Sequence, residues 1–160
     1  MHRTKNDLPE GTRTKIVELL NGCLADAIDL MLRSKQAHWN VKGPTFIALH
    51  ELFDKVNADA EEYVDLIAER AVQLGGVVEG TARTAAKRST LGEYPANVVS
   101  GRDHVEALST TLAAFGKVTR LAIQATAELR DQDTADIFTE VSRGVDKWLW
   151  MLEAHLQVDR

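Results

Sequence analysis

The sequence predicts an all-α protein built as a bundle of four long helices. Apolar residues recur at steps of three and four along most of the 160-residue chain, which is the period of an amphipathic helix. The three prolines, at positions 9, 44 and 95, fall where these periodic segments begin or end. No stretch of useful length alternates between apolar and polar residues, as a half-buried strand would.

The first two helices lie between a polar tail and a pair of glycines. Residues 1–10 form the tail, and the first helix spans about 11–38. Its apolar stripe consists of Ile16, Leu20, Cys23, Ala27 and Met31. The second helix spans 44–74 and begins at its proline. It ends at residues 75–76, because glycine readily adopts the backbone conformation that follows a helix C-terminus.

The second half of the chain contains a long crossover and two more helices. Residues 77–99 are rich in small and polar types, and a short helix fits 82–88. The third long helix begins near residues 100–103. The last begins at Asp133, which with Asp136 resembles a capping box in which aspartate replaces glutamate. Short, long and short connections thus join the long helices into one domain over 11–158.

Composition favours a cytoplasmic protein with no membrane partner. No apolar run reaches the ~18 residues of a spanning helix, and the N-terminus lacks the apolar core of a signal peptide. A single cysteine, Cys23, excludes an internal disulfide and a site made of cysteines alone. The net charge of -5 argues against a wholly basic nucleic-acid-binding surface and suits a protein that attracts cations.

The second helix carries two pairs of metal-binding residue types on one face. His50 and Asp54 are four residues apart, as are Asp65 and Glu69, so the members of each pair are neighbours on the helix. Asp65 returns to within about 20° of the direction of Asp54 but lies roughly 16 Å further along. Ligand atoms lie ~2.0–2.2 Å from a transition metal, so one helix cannot bring both pairs to one ion.

An antiparallel copy of the same helix removes this difficulty. The two pairs are placed symmetrically about the point between residues 59 and 60. A copy that crosses there places His50 opposite Glu69 and Asp54 opposite Asp65, and a twofold dimer supplies such a copy. The sequence therefore predicts two equivalent metal sites, each shared between two subunits.

His38 fits the same site from the preceding helix. If residues 41–44 reverse the chain tightly, His38 and His50 face each other at similar height on antiparallel helices. Each site then takes His38, His50 and Asp54 from one subunit and two acids from its mate. Mixed imidazole and carboxylate ligation suits iron, and zinc or manganese less distinctively. The alternative interpretation of these residues is a solvated acidic helix face.

Several short segments around these residues carry a family resemblance. They are Lys35-Gln-Ala-His38-Trp39-Asn40, Gly43-Pro44, Phe46-Ile47, His50-Glu51, Asp54, and Asp65 through Ala68-Glu69-Arg70 to Gly75-Gly76. Together they resemble the Dps miniferritins. Dps-like features extend over about residues 5–155. The resemblance implies a ferritin-like four-helix bundle with a long crossover between the second and third long helices. The repeated Glu-x-x-His of classical ferritins is absent from the sequence, which favours Dps.

The resemblance also implies an activity. The Dps ferroxidase ligands carry over to five residues, namely His38, His50, Asp54, Asp65 and Glu69. They imply a ferroxidase that oxidises Fe(II), preferentially with hydrogen peroxide, and stores Fe(III) mineral inside a dodecamer built from twofold dimers. Such a cage would protect DNA from oxidative damage. One alternative is a DNA-compacting nucleoid protein whose metal site is mainly structural, and another is a cage that sequesters a different divalent metal without redox chemistry.

Three further roles follow from the resemblance. Dps cages take up iron through acidic pores at threefold axes, for which the candidates are Asp136, then Asp131, then Glu128 and Glu140. The alternative role of these acids is to complement the dipole at the start of the last helix. Trp39 is expected to pack at the dimer interface or to quench radicals formed when peroxide meets Fe(II).

DNA is the remaining candidate partner, and its binding would place the protein at the nucleoid. Some Dps members use a lysine-rich mobile N-terminal tail. Residues 1–15 carry four basic and two acidic side chains, so this tail is only modestly basic. We therefore expect weak or absent affinity for DNA at least as strongly as we expect DNA binding. The basic residues of the crossover, Arg83, Lys87 and Arg88, are a second candidate contact.

Overall fold

The structure is a computed structural model that describes residues 1–157, and all of its regular elements are helical. They are α1 (Glu10–Asn40), α2 (Phe46–Gln73), α3 (Ala82–Arg88), α4 (Gly101–Glu128) and α5 (Gln132–Glu153). Helices α1 and α2 form one antiparallel pair, α4 and α5 form the other, and α3 packs against α1. The predicted bundle and the short helix in the crossover are confirmed. The last residue of the predicted domain, residue 158, lies outside the described residues.

Two helix starts differ from the prediction. Helix α2 begins two residues after Pro44, because Gly43 has a φ of 120° and the chain is still turning there. The capping box of Asp133 and Asp136 is wrong. Helix α5 is capped by Asp131, whose side chain accepts a hydrogen bond from the Thr134 N–H at 3.1 Å. A cap must precede the first helical turn, so Asp133 lies inside that turn instead.

The apolar stripes of the long helices meet in one core. Its largest fully buried side chains include Phe53 of α2, Phe115 of α4 and Phe138 of α5. Helices α2 and α5 approach each other closely at Gly144, where an added Cβ would lie 1.9 Å from the Tyr63 hydroxyl. Any larger residue at that position would force the Tyr63 side chain to move.

Both ends of the crossover are tied to the α1–α2 pair. At its start, the buried Asn21 side chain of α1 donates to the Val77 carbonyl at 3.0 Å and accepts from the Glu79 N–H at 3.0 Å. At its end, Lys42 exchanges backbone hydrogen bonds with Val99 at 3.0 Å and Gly101 at 3.2 Å. The second attachment lies in the α1–α2 turn, so it fixes the reversal between the helices that carry His38 and His50.

The N-terminal tail folds back over the end of α2. The His2 N–H donates to the Gly75 carbonyl at 2.6 Å. Arg13 is buried, and its guanidinium donates to the carbonyls of Leu8 at 3.0 Å and Leu74 at 2.9 Å. None of the helices within the described part of the chain is long and apolar enough to cross a membrane.

Candidate metal centre

The two histidines lie where α1 ends and α2 begins. Their rings stack, with centroids 3.7 Å apart and planes inclined by 22°. The arrangement follows from the turn: α1 ends at Asn40, Val41 is extended, and the chain has reversed by Thr45. The tight reversal expected from the sequence therefore does bring His38 and His50 face to face. Phe46 covers the other side of the His50 ring at 5.0 Å between centroids.

Reciprocal hydrogen bonds fix both rings. Nδ1 of His38 lies 2.8 Å from the carbonyl oxygen of His50, and Nδ1 of His50 lies 2.9 Å from the carbonyl oxygen of His38. A carbonyl oxygen only accepts, so each Nδ1 carries the proton and donates it. The lone pair of each neutral ring is then on Nε2, the usual position from which histidine binds a metal. Bonds of this kind orient metal-binding histidines and set their tautomer.

Asp54 lies one turn along α2 from His50, with one carboxylate oxygen 3.9 Å from Nδ1 of His38. Its side chain is 49% exposed, and it forms an ion pair with Lys35. The hydrogen bond from Lys35 lowers the pKa of Asp54 against the smaller effect of its burial, and the charge of Lys35 lowers the pKa further. The carboxylate is thus ionised and already attracts a cation.

Lys35 is the residue of this cluster that sequence reasoning missed. It falls inside the segment that resembles Dps, three residues before His38, so the two lie on neighbouring positions of α1. The spacing between Lys35 and Asp54 gave no sign of contact, because that contact depends on how α1 packs on α2.

The other two predicted ligands lie further along α2. Asp65 and Glu69 are exposed, and Asp65 is roughly 16 Å along the helix from Asp54. Within residues 1–157, no three or more His, Cys, Asp or Glu side chains are close enough to hold a metal ion. A single chain therefore forms no complete metal site within these residues: His38, His50 and Asp54 share one end of α2 without meeting that condition, and the two remaining acids lie apart from them.

The face of α2 that carries these residues is uncovered along its length. Glu61, between the two pairs, is exposed like Asp54, Asp65 and Glu69. Large apolar side chains are exposed at both ends of the same face, with Ile47 at 61% and Val72 at 57%. Exposed apolar residues that border a polar stripe are typical of a surface that another protein covers.

Comparison with known proteins agrees with this fold. A family model described as a ferritin-like domain matches residues 17–160. The DNA protection during starvation protein of Agrobacterium fabrum is 46% identical over 156 residues, which cover 98% of this chain and 96% of that protein. The chain belongs to the Dps family of ferritin-like proteins.

Solved Dps structures share the whole architecture. DpsC from Streptomyces coelicolor superposes with a TM-score of 0.93 at 31% identity, covering 99% of this chain and 92% of that one. Dps from Microbacterium arborescens, solved in a high iron form, superposes with a TM-score of 0.86 at 34% identity. It covers 96% of this chain and 97% of its own. The predicted membership of the Dps family is confirmed.

Trp39 and the acids near α5 differ in how far they are exposed in this Dps subunit. Trp39 is 68% exposed at the end of α1, so it does not pack inside its own subunit. Asp136, Glu128 and Glu140 are also exposed. Asp131 is only 3% exposed, because it caps α5 and pairs with the buried Arg70 at 2.7 Å. That position does not fit the pore lining expected of Asp131.

Proposed function

We propose that this Dps protein is a ferroxidase and iron-storage cage. The observation that carries the proposal is the histidine pair, whose rings are both fixed through Nδ1, which leaves Nε2 as the metal-binding nitrogen, with the Asp54 carboxylate 3.9 Å from Nδ1 of His38. A site built only for stability would have no reason to orient two neutral imidazoles in this way.

The proposed site is completed by a second subunit. A twofold axis that crosses α2 between residues 59 and 60 brings Asp65 and Glu69 of the mate to the half-site of His38, His50 and Asp54. The uncovered face of α2 supports this arrangement. Six such dimers would form the proposed dodecamer, whose cavity would hold the Fe(III) mineral.

Fe(II) is the substrate of the proposed reaction. Two Fe(II) ions each lose one electron to a molecule of hydrogen peroxide, which takes up two protons and yields two water molecules. The three carboxylates favour the ferric product, because the more highly charged ion gains more from anionic oxygen ligands. Both electrons pass to one peroxide molecule, so no hydroxyl radical is released.

Protection of DNA is the cellular role that we propose. The relative from Agrobacterium fabrum is named for DNA protection during starvation. Removal of peroxide together with Fe(II) would provide such protection in the cytoplasm without contact between the protein and DNA. Residues 1–15 support this indirect route, because Arg13, one of their four basic side chains, lies in α1, where it is buried and bonded to carbonyl oxygens. A gel shift at low and physiological salt checks direct binding.

Iron entry is assigned to three exposed acids. We propose that Asp136, Glu128 and Glu140, repeated around a threefold axis, raise the local concentration of Fe(II).

Trp39 is proposed to pack against the neighbouring subunit. Its role as a radical quencher stays a prediction, and a Trp39→Phe variant that releases no more hydroxyl radical than the parent would contradict it.

Substitution of the histidine pair and its carboxylate tests the main proposal. A protein with His50→Ala and Asp54→Ala should lose Fe(II) binding and rapid oxidation, measured by Fe(II) titration and by stopped-flow absorbance with peroxide or dioxygen. Glu51→Ala is the matched control, because Glu51 is an exposed acid next to His50. Unchanged binding and oxidation rates in the double variant would end the proposal. Equal rates with the two oxidants would refute the peroxide preference alone.

A further inference from the structure

A hollow of about 400 Å³ lies beside Glu69 on the uncovered side of α2. It is lined by Ala68, Glu69, Val72, Gln73 and Val78. Most of this lining is apolar, and Val72 is 57% exposed. Exposure of an apolar hollow to water is unfavourable, so we expect a side chain to fill the hollow next to this predicted ligand.

The twofold register identifies that occupant. The crossing that sets His50 opposite Glu69 also sets Ile47 opposite Val72, because each lies three residues further out on the same face. Three residues are about 4.5 Å of helix, so this apolar layer adjoins the ligand layer directly. Ile47 is 61% exposed, which leaves most of its side chain available for burial.

The same side chain cannot reach the hollow of its own subunit. Ile47 and Val72 are separated by 25 positions on one continuous helix, or roughly 38 Å. Ile47 of the same subunit therefore cannot cover Val72, whereas Ile47 of a second copy in this register can. The small Ala58 lies near the middle of the face, where it lets two α2 helices approach.

We infer that Ile47 of one subunit fills the hollow beside Glu69 of its mate and thereby positions that carboxylate for iron. The inference rests on the twofold arrangement of the proposed function and adds a positioning residue to it. Ile47 packs against the mate's Val72, excludes water from that end of the site and limits the rotation of Glu69. Lower local polarity also strengthens the attraction between the carboxylate and the cation.

Cross-linking tests the contact directly. A chain with Ile47→Cys and Val72→Cys should form a disulfide-linked dimer under mild oxidation, because a disulfide requires Cα atoms within about 7 Å. Each single variant should remain monomeric on a denaturing gel. The natural Cys23 does not interfere, since it is buried and its burial, with the charge of Asp26, raises its pKa to about 12.

A matched pair controls for random collision. Leu121 on α4 is 58% exposed, so Ile47→Cys with Leu121→Cys has two thiols of similar exposure outside the proposed contact. Cross-linking of the Val72 pair no faster than this control, in a protein that still oxidises Fe(II), would overturn the inference and leave the proposed function intact. Efficient cross-linking of Trp39→Cys to Val72→Cys with none from Ile47→Cys would also overturn it.

Iron binding separates positioning from packing. Ile47→Ser should raise the Fe(II) concentration for half-maximal rate by about tenfold, as expected for loss of a buried aliphatic side chain, and Ile47→Leu should restore it. The apparent mass of the assembly is measured in parallel. An Ile47→Ser protein with normal assembly and normal Fe(II) dependence would refute the positioning role. Failure of the parent itself to oxidise Fe(II) would refute the proposed function instead.

Discussion

Two charged clusters contain residues of helix α2, and the two clusters differ in how deeply their side chains are buried. At its C-terminal end, Arg70 donates to Asp131 at 2.7 Å and to Thr134 at 2.8 Å, and the Arg70 and Asp131 side chains are only 8% and 2% exposed. At its N-terminal end, Asp54 pairs with Lys35 while 49% of its side chain remains exposed.

The difference separates a structural cluster from the proposed metal site. In the Arg70 cluster, charges and hydrogen bonds are matched inside one subunit, and little of either side chain faces solvent. In the Asp54 cluster, both imidazoles form their hydrogen bonds through Nδ1, and half of the carboxylate side chain faces solvent. Buried matched charges are costly to break, whereas exposed ones are easily exchanged for a metal.

The largest effect is expected at the structural cluster. Arg70→Ala leaves the buried Asp131 carboxylate without its partner and should lower the free energy of unfolding by about 3–5 kcal/mol. Urea denaturation measures the loss. The control is Arg120→Ala, which removes an exposed pair with Asp146 and should cost about 0–1 kcal/mol. Equal losses in the two variants would contradict the structural assignment of Arg70.

The binding site should respond in the opposite way. His38→Ala should lower Fe(II) affinity or oxidation rate by about 10–100-fold, because it removes a proposed ligand and the ring that stacks on His50. The free energy of unfolding should change by no more than about 1 kcal/mol. Stopped-flow kinetics and urea denaturation of the same preparation check both parts. A stability loss comparable to that of Arg70→Ala would remove the distinction between the clusters.

A buried histidine outside both clusters supplies a pH-dependent test. His104 is 1% exposed, and its Nδ1 lies 2.8 Å from the Tyr94 hydroxyl in the crossover. Burial lowers the pKa of His104, although a backbone hydrogen bond at Val98 and the charge of Asp103 act against the shift. Below its unfolded pKa of about 6.5, the unfolded chain binds this proton more readily than the folded chain.

Neutral His104 therefore makes its full contribution to the free energy of unfolding above about pH 6.5. This contribution is lost as the pH falls towards the lower pKa of His104 in the folded chain. This residue changes the free energy of unfolding by at most about 1.4 kcal/mol per pH unit. Urea denaturation between about pH 7.5 and pH 5.5 should show a shallower pH dependence for His104→Gln than for the parent. Parallel curves for the two proteins would contradict this origin of the pH dependence.

The smallest effect is expected at Lys35. Its ammonium group pairs with the Asp54 carboxylate, which we propose as an iron ligand, so Lys35→Ala removes a competing cation. Half-exposed pairs of this kind are worth about 0.2–1 kcal/mol, so Fe(II) affinity should rise by no more than about fivefold. Isothermal titration calorimetry measures this change. Weaker Fe(II) binding in Lys35→Ala would show that Lys35 supports the site rather than competes for it.

Local patterns predicted most of the fold. The four long helices, the short helix at 82–88 and the reversal between α1 and α2 all follow from apolar spacing and from glycine and proline positions. The cap of α5 was missed, because Asp131 and Asp133 are both plausible caps by residue type and only the turn at Arg130, with a φ of 63°, selects between them.

The sequence by itself determined which residues share a face of α2 and where an antiparallel copy must cross it, because helical geometry fixes both from residue numbers alone. Only the tertiary structure decided the tautomer of the histidine pair, the contact of Lys35 with Asp54 and the burial of Asp131. Those features depend on contacts between segments that are far apart in the chain, so no local spacing specifies them.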